Sequence, residues 1–338
     1  MLMLANLTPT WARAGLIAIA LAYAFLNGYN DAGAIIVGMI AGRSLRPRQA
    51  LIIASIAEFF GPFLLGVGVA ATIATGIVDP QAVNVAVLAS AVIGAIAWGL
   101  GASSLGIPTS SSHALVGGLV GAAFAAQGWG VIRIAGVERV VVFLIIAPLL
   151  GLVIGYLGTK ALIYYLTQSV AHPRVVHTLQ KWSITSSLVF ALGHGTNNAQ
   201  KSMGLIALSL LILGDTATFG VPVWATVFSA AFLALGVAIG GQKVIKTLST
   251  RFYTLRTLHG LAASVSSTLV IFGATLLGLP ISATQVASMA IAGSGAADRL
   301  SKVRWSVVGD ILVTWLVTIP GAGLCAAGIY LALHFLGV

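Results

Sequence analysis

A chain of 338 residues that is 59% hydrophobic and only 7% charged has too little polar surface to coat a core in water, which excludes a soluble enzyme or binding domain. Its net charge of +10 would fit a nucleic-acid partner in a soluble protein, but Lys and Arg collect in short segments between apolar runs. Orientation in a membrane accounts for that pattern, and no nucleic acid is expected. The one cysteine, Cys325, excludes a disulfide within the chain.

Apolar windows of roughly 20 residues, the length that crosses ~30 Å of hydrocarbon, recur from Ala14 nearly to the C-terminus. In chain order the first five predicted elements are 14–41, 48–77, 82–101, 105–127 and 139–167. The polar, basic segment QSVAHPRVVHTLQKWS (168–183) follows as a linker. Five more elements are predicted at 184–213, 222–241, 258–277, 279–297 and 305–336. The first run is too long and too polar in its middle for a cleavable signal peptide, so it is expected to stay in the chain.

The two sets of elements are related by duplication. NGYNDA at 27–32 returns as HGTNNA at 194–199, and LGIPTSSSH at 105–113 returns as LGLPISATQ at 277–285, offsets of 167 and 172 residues. Five crossings per half, an odd number, would put the second half into the membrane upside down. That arrangement gathers twelve basic residues on the cytoplasmic side, among them Arg43, Arg46, Arg48, Arg174, Lys181, Arg256, Arg299, Lys302 and Arg304. Outside remain Arg13, Arg133 and Arg139, while the outer loops carrying Asp79 and Asp215 hold no basic residue. The predicted fold class is all-α, a polytopic protein of the cytoplasmic membrane in contact with lipid. It has about ten transmembrane elements in two inverted-topology repeats, 14–167 and 184–336, with a cytoplasmic linker at 168–183. Inverted repeats interrupted at matching positions point to a secondary transporter with its site near the midplane.

Within FLNGYNDAGAII the glycine is expected to break the first helix and the asparagines to cap the broken ends, and HGTNNA to do the same in the second half. A packing kink is the simpler alternative. Asp31 weighs against it, because an ionisable group at that depth costs ~3 kcal/mol and defaults to function. The Pro/Ser-rich segments IPTSSSHA and LPISATQV read as starts of half-helices, with proline at the first helical position and hydroxyls around the free N–H groups. Such an end carries partial positive charge and presents donors, so two of them facing each other would cradle one small oxyanion. The substrate-binding candidates are Asn30, Asp31, Thr109, Ser110, Ser111, Ser112, Asn197, Asn198, Ser282 and Thr284; close helix packing is the competing use of the hydroxyls. Asp31 and Glu58 are candidates for cation coupling, Glu58 having no counterpart in VFSAAFLAL. Gln200 and Lys201 are candidates for supporting roles, Lys201 pairing with a carboxylate, touching the anion or snorkelling to the inner surface. Asp310 is a weaker candidate, and His113 and His194 are expected to be hydrogen-bonded packing residues. No spacing suggests a metal site, and no cofactor is expected beyond a coupling ion.

The double motifs resemble those of the inorganic phosphate transporter (PiT) family over nearly the whole chain. NGYNDAGA and HGTNNAQKSMG answer its GANDVANA-type or GFHDTANA-type signatures, and GIPTSSSH and GLPISATQ answer its GLPVSTTH-type segments. The resemblance, to bacterial-type low-affinity permeases in particular, implies an inverted-repeat symporter for inorganic phosphate, homodimeric, with some relatives carrying sulfate. It implies that Asp31 and the position of Asn198 serve cation coupling and substrate binding, with Ser110 and Ser282 at the anion. Asn198 cannot ionise and Ala34 replaces a signature asparagine, so coupling to protons is favoured over sodium. Phosphate keeps a proton that Asp31 can accept and sulfate does not, so phosphate is the leading substrate and sulfate the next. An anion channel remains a different class. An intramembrane hydrolase on Ser110 and His113 remains a third, lacking a base-orienting carboxylate in sequence.

Overall fold

The computed structural model describes residues 10–40, 45–104, 109–167, 173–251, 257–300, 303 and 305–337. Pro108, Arg43, Arg256, Lys302, Arg304 and linker positions 168–172 lie outside them, as does the side chain of Asp310. Eleven α-helices carry the described chain: α1 Thr10–Ile40, α2 Pro47–Phe60, α3 Gly68–Ala71, α4 Val85–Ser104, α5 Ser111–Gln127, α6 Ile134–Thr167, α7 Pro173–Ile212, α8 Val223–Arg251, α9 Thr257–Leu276, α10 Ala283–Asp298 and α11 Trp305–Phe335. The all-α expectation holds. The linker, however, is helical from Pro173 and forms the start of α7, proline being tolerated in a first turn where its missing N–H has no partner to lose.

The distribution of polarity is that of a protein in lipid. Leucines such as Leu316 (77% exposed) and Leu324 (76%) cover the outside, while Asp31, Glu58, His194, Asn197, Asn198 and Lys201 are buried. Among the described residues six helices are long and apolar enough to cross a membrane, and α2 with α3, bent by 72° at the break between them, makes a seventh. Helices α5 and α10, of 17 and 16 residues, reach about 25 Å and fall short of a full crossing. Two large apolar clusters hold the bundle, one around α1, α4, α5 and α7, the other around α1, α2, α7 and α9.

The expected break in the first helix of each half is not there: α1 runs unbroken through NGYNDA and α7 through HGTNNA. The glycines serve a different need. A Cβ on Gly28 would strike the carbonyl oxygen of Leu233 in α8, and one on Gly195 the carbonyl oxygen of Glu58 in α2. Each motif glycine thus lets the first helix of one half lie against the backbone of the second element of the other half. The exchange recurs further on, where α5 packs along α11 and α10 along α6. Pro148 inside α6 and Pro320 inside α11 repeat the 172-residue offset of the Pro/Ser-rich segments.

The real interruption falls in the second element. After α2 the chain makes a 3₁₀ turn at Gly61–Phe63, restarts as α3 and ends in a π-helical turn at Thr72–Gly76. Pro62 supplies no N–H to continue the ladder. The freed amides of Val69 and Ala70 donate to Oε1 of Gln200 in α7, at 2.9 and 3.3 Å. Two exposed ion pairs, Arg13–Asp215 (2.5 Å) and Arg133–Asp79 (3.4 Å), join residues that the charge pattern assigns to one face. Exposed pairs contribute ~1 kcal/mol at most, so they register position more than stability.

The close approaches predict a selective response to added methyl groups. Gly28→Ala and Gly195→Ala should each destabilise the protein by ~1–3 kcal/mol through overpacking. Gly15→Ala, in the same helix as Gly28 but with nothing within 4 Å, should not. Thermal melting of the purified variants in detergent checks the difference.

Candidate functional site

The starts of α5 and α10 meet inside the bundle. The hydroxyl of Ser112 donates to the carbonyl of Ile281 at 2.7 Å, linking the first turn of α5 to the non-helical segment 279–282 that precedes α10. Ser110 caps α5 by accepting from the His113 amide (3.3 Å), and its Oγ lies 2.7 Å from Nδ1 of the same residue. Ser282 occupies the equivalent position before α10 without a capping bond, its hydroxyl 3.4 Å from that of Thr284. The Ser282 hydroxyl therefore turns to a neighbouring side chain and not to the first-turn amides of α10, at a helix end whose partial charge is positive.

The motif helices line this junction. From α1, Asn27 Oδ1 accepts from Ser111 Oγ at 2.6 Å, and Tyr23 donates to the Ser111 carbonyl at 2.9 Å. From α7, Asn197 pins the segment before α10: its Nδ2 donates to Thr275 Oγ1 (2.9 Å) and the Leu279 carbonyl (3.1 Å), and its Oδ1 accepts from the Ile281 amide (3.3 Å). Of the asparagines expected to cap breaks in their own helices, Asn197 instead satisfies backbone before α10, while Asn27 and Asn198 bond to side chains of neighbouring elements.

Asp31, His194 and Glu58 form a buried chain. His194 Nε2 is 3.1 Å from Asp31 Oδ2, and its Nδ1 is 2.6 Å from Glu58 Oε1. The contact with Glu58 is close but poorly aligned as a hydrogen bond, and neither Glu58 oxygen has another partner among the described residues. Asn198 Nδ2 donates to Asp31 Oδ2 at 3.3 Å and lies 2.5 Å from His194 Nε2. His194 is thus a bridge between two carboxylates, where a packing role was expected. Its signal lay in the repeat: its counterpart is Asn27, so His194 and Glu58 both depart from the duplication, and the two departures touch.

Lys201 does not snorkel. It is buried, and its Nζ donates to Ser112 Oγ (2.6 Å), the Ile281 carbonyl (2.9 Å) and Asn198 Oδ1. Among the described residues it makes no ion pair, so the expected carboxylate partner is replaced by three neutral oxygens.

A small recess of about 40 Å³ opens beside this centre, its polar side lined by Asn27, Asn30, Asp31, Thr109, Ser110 and Ser111 and its other side by Tyr23 and the end of α4. Five of the sequence candidates therefore face one space. Ser112, Asn197, Asn198, Ser282, Thr284 and Lys201 lie outside its lining. Ser112, Asn197, Asn198 and Lys201 are buried in the hydrogen-bonded wall between α7 and the α5–α10 junction. Gln200 stands apart, at the break before α3.

An ionisable, largely dehydrated centre beside an open recess, held near two helix starts in a lipid-facing bundle, defines a multi-pass membrane transport protein. Comparison with known proteins gives the family. The phosphate transporter family model matches residues 27–182 and again 165–326. A Mycobacterium bovis protein named a probable low-affinity inorganic phosphate transporter is 40% identical over 94% of this chain and 76% of its own length. A Rhizobium meliloti protein of the same name is 38% identical over 94% of this chain and 95% of its own. The chain belongs to the phosphate transporter family. A solved structure described as the sodium-dependent phosphate transporter shares its fold, with a TM-score of 0.85 over 96% of this chain and 99% of that one at 23% identity.

The two capping serines should separate on substitution. Ser110→Ala removes a cap and should lower stability by ~1 kcal/mol, whereas Ser282→Ala removes no capping bond and should leave the melting temperature in place. Both should raise the apparent KM for anion uptake; unchanged uptake in both returns the pair to a packing role.

Proposed function

We propose that this protein is a secondary active symporter that takes up inorganic phosphate across the cytoplasmic membrane together with protons. The observation that carries the reading is the Asp31–His194–Glu58 chain, buried and placed where Asp31 also lines the recess. With both ring nitrogens of His194 protonated, one toward Asp31 and one toward Glu58, the charges of Asp31, Glu58, His194 and Lys201 cancel. Dihydrogen phosphate adds one negative charge and one further proton on the chain removes it, so the loaded centre closes in the same charge state as the empty one. In a dry site that equality matters, because an uncompensated charge costs several kcal/mol to bury. Symport is the consequence: neither the anion nor the proton is enclosed cheaply alone.

The substrate reading rests on hydrogen-bond chemistry. Phosphate offers an O–H to the Asp31 carboxylate and accepts from the hydroxyls and amides at the start of α5. Sulfate has no proton to offer and would set two anions against each other. Asn198, standing where the repeat has Asp31, weakens that discrimination and keeps sulfate as the second reading. The family assignment and the names of the relatives favour phosphate.

For the architecture, we infer ten membrane elements in two inverted repeats, working as a homodimer. Support for the repeats comes from the exchanged packing of α1 with α8 and α7 with α2, and from the starts of α5 and α10 meeting with Ser112 against Ile281. Transport then proceeds as the recess loads phosphate, Asp31 and Glu58 share the incoming proton through His194, and the helix ends close over both.

In proteoliposomes under an imposed proton gradient, Asp31→Asn should lose concentrative phosphate uptake; normal gradient-driven uptake in that variant rules the role out. Counterflow decides the anion: unlabelled phosphate should displace labelled phosphate from the carrier, and displacement by sulfate alone would transfer the assignment. Flux without accumulation under the gradient would make the protein a channel.

A further inference from the structure

We infer that the ammonium of Lys201 occupies a monovalent-cation site built by this chain and stands in for a bound sodium ion, so that anion uptake here does not respond to sodium. The inference rests on the symport reading above and names which cation its centre holds.

Three oxygens converge on Lys201 Nζ from three different elements. Ser112 Oγ comes from the first turn of α5 at 2.6 Å, the Ile281 carbonyl from the non-helical segment before α10 at 2.9 Å, and Asn198 Oδ1 from one turn earlier on α7. A hydroxyl, a side-chain amide and a carbonyl released from helical bonding are the neutral oxygens by which interrupted membrane helices hold sodium. The carbonyl is available because 279–282 is not helical, and Asn197 fixes the register of that segment through Leu279 and the Ile281 amide.

Charge pairing does not explain the lysine's position. Both nearby carboxylates are engaged by His194, Asp31 on one ring nitrogen and Glu58 on the other. Lys201 instead points its ammonium at the junction of two helix starts, each carrying partial positive charge, a place hostile to a cation unless oxygens are arranged to receive one. Those oxygens are arranged, and the ammonium uses its three donors on them.

Comparison of the two halves shows what has been exchanged. At the 167-residue offset, Asn198 corresponds to Asp31 and Lys201 to Ala34. At these two positions the first half has a carboxylate and an alanine, whereas the second has an amide and a lysine. A dehydrated carboxylate calls for a positive partner or donors, as Asp31 finds in His194 and Asn198; an amide with a tethered ammonium has its charge built in. A tethered cation cannot be taken up or released, so it leaves the sodium gradient with nothing to act on.

The test uses sodium alone before any substrate. Melting of the purified full-length protein is compared in sodium chloride and choline chloride at equal ionic strength. The wild type should melt at the same temperature in both, and its phosphate uptake into proteoliposomes should be unchanged by a sodium gradient. Lys201→Ala vacates the three oxygens and should gain a saturable stabilisation by sodium over choline. The paired change Asn198→Asp with Lys201→Ala, which restores the first half's residue types, should gain a larger one and carry the test if the single variant fails to fold. Sodium stabilisation of the wild type, sodium-driven uptake by it, or a folded vacated variant indifferent to sodium would each overturn the inference. A wild type that melts alike in both salts but carries no phosphate would overturn the transport reading instead and leave the cation site standing.

Discussion

Hydrocarbon offers no partner to a backbone N–H or C=O, and that constraint organises the interior of this protein. At two places where the helical ladder stops inside the bundle, a side chain from α7 takes over. Gln200 receives the amides of Val69 and Ala70 where α2 gives way to α3. Asn197 holds both an amide and a carbonyl of the segment before α10, and Lys201 takes the Ile281 carbonyl. One helix therefore supplies the hydrogen bonds that allow two irregular segments to exist at depth. Those segments free the helix starts that make an anion site possible, so the polar signature of α7 is structural before it is functional.

This is also why sequence reading misplaced the break. NGYNDA combines glycine with asparagines, residue types that favour helix ends, and the carboxylate within it strengthens the inference. But a glycine inside a membrane helix has two uses, and sequence does not say which: it can bend its own chain or admit another. Here Gly28 and Gly195 admit the backbones of α8 and α2. The duplication, the apolar elements, the half-helices behind IPTSSSHA and LPISATQV and the gathering of Asp31 with Thr109, Ser110 and Ser111 were all legible, because each is written in local pattern or repetition. The link from Glu58 to His194 was not. It joins residues 136 positions apart through the packing of α2 on α7, and neither residue repeats. The same long-range packing hid the oxygens around Lys201, since Ser112 and Ile281 are brought to α7 only by the meeting of α5 and α10.

The near-symmetry of the chain makes its asymmetries informative. Asn30 and Asn197 occupy the same position of the repeat, yet Asn197 is buried in bonds to the turn before α10 while Asn30 is exposed at the recess. One half presents its helix start to an opening, and the other has its start sealed by the asparagine and the lysine. Two halves built to one plan but held in opposite states are what alternating access requires under the proposed function, because exchange of those states moves the opening to the other side. In that exchange Asn197 would have to release Leu279 and Ile281 as Asn30 engages its own half-helix start, so the hydrogen bonds lost on one side are regained on the other. The balance is incomplete at Lys201, whose counterpart is Ala34. The sealed half holds an ammonium for which the open half has no counterpart, so the two helix starts are not interchangeable in charge.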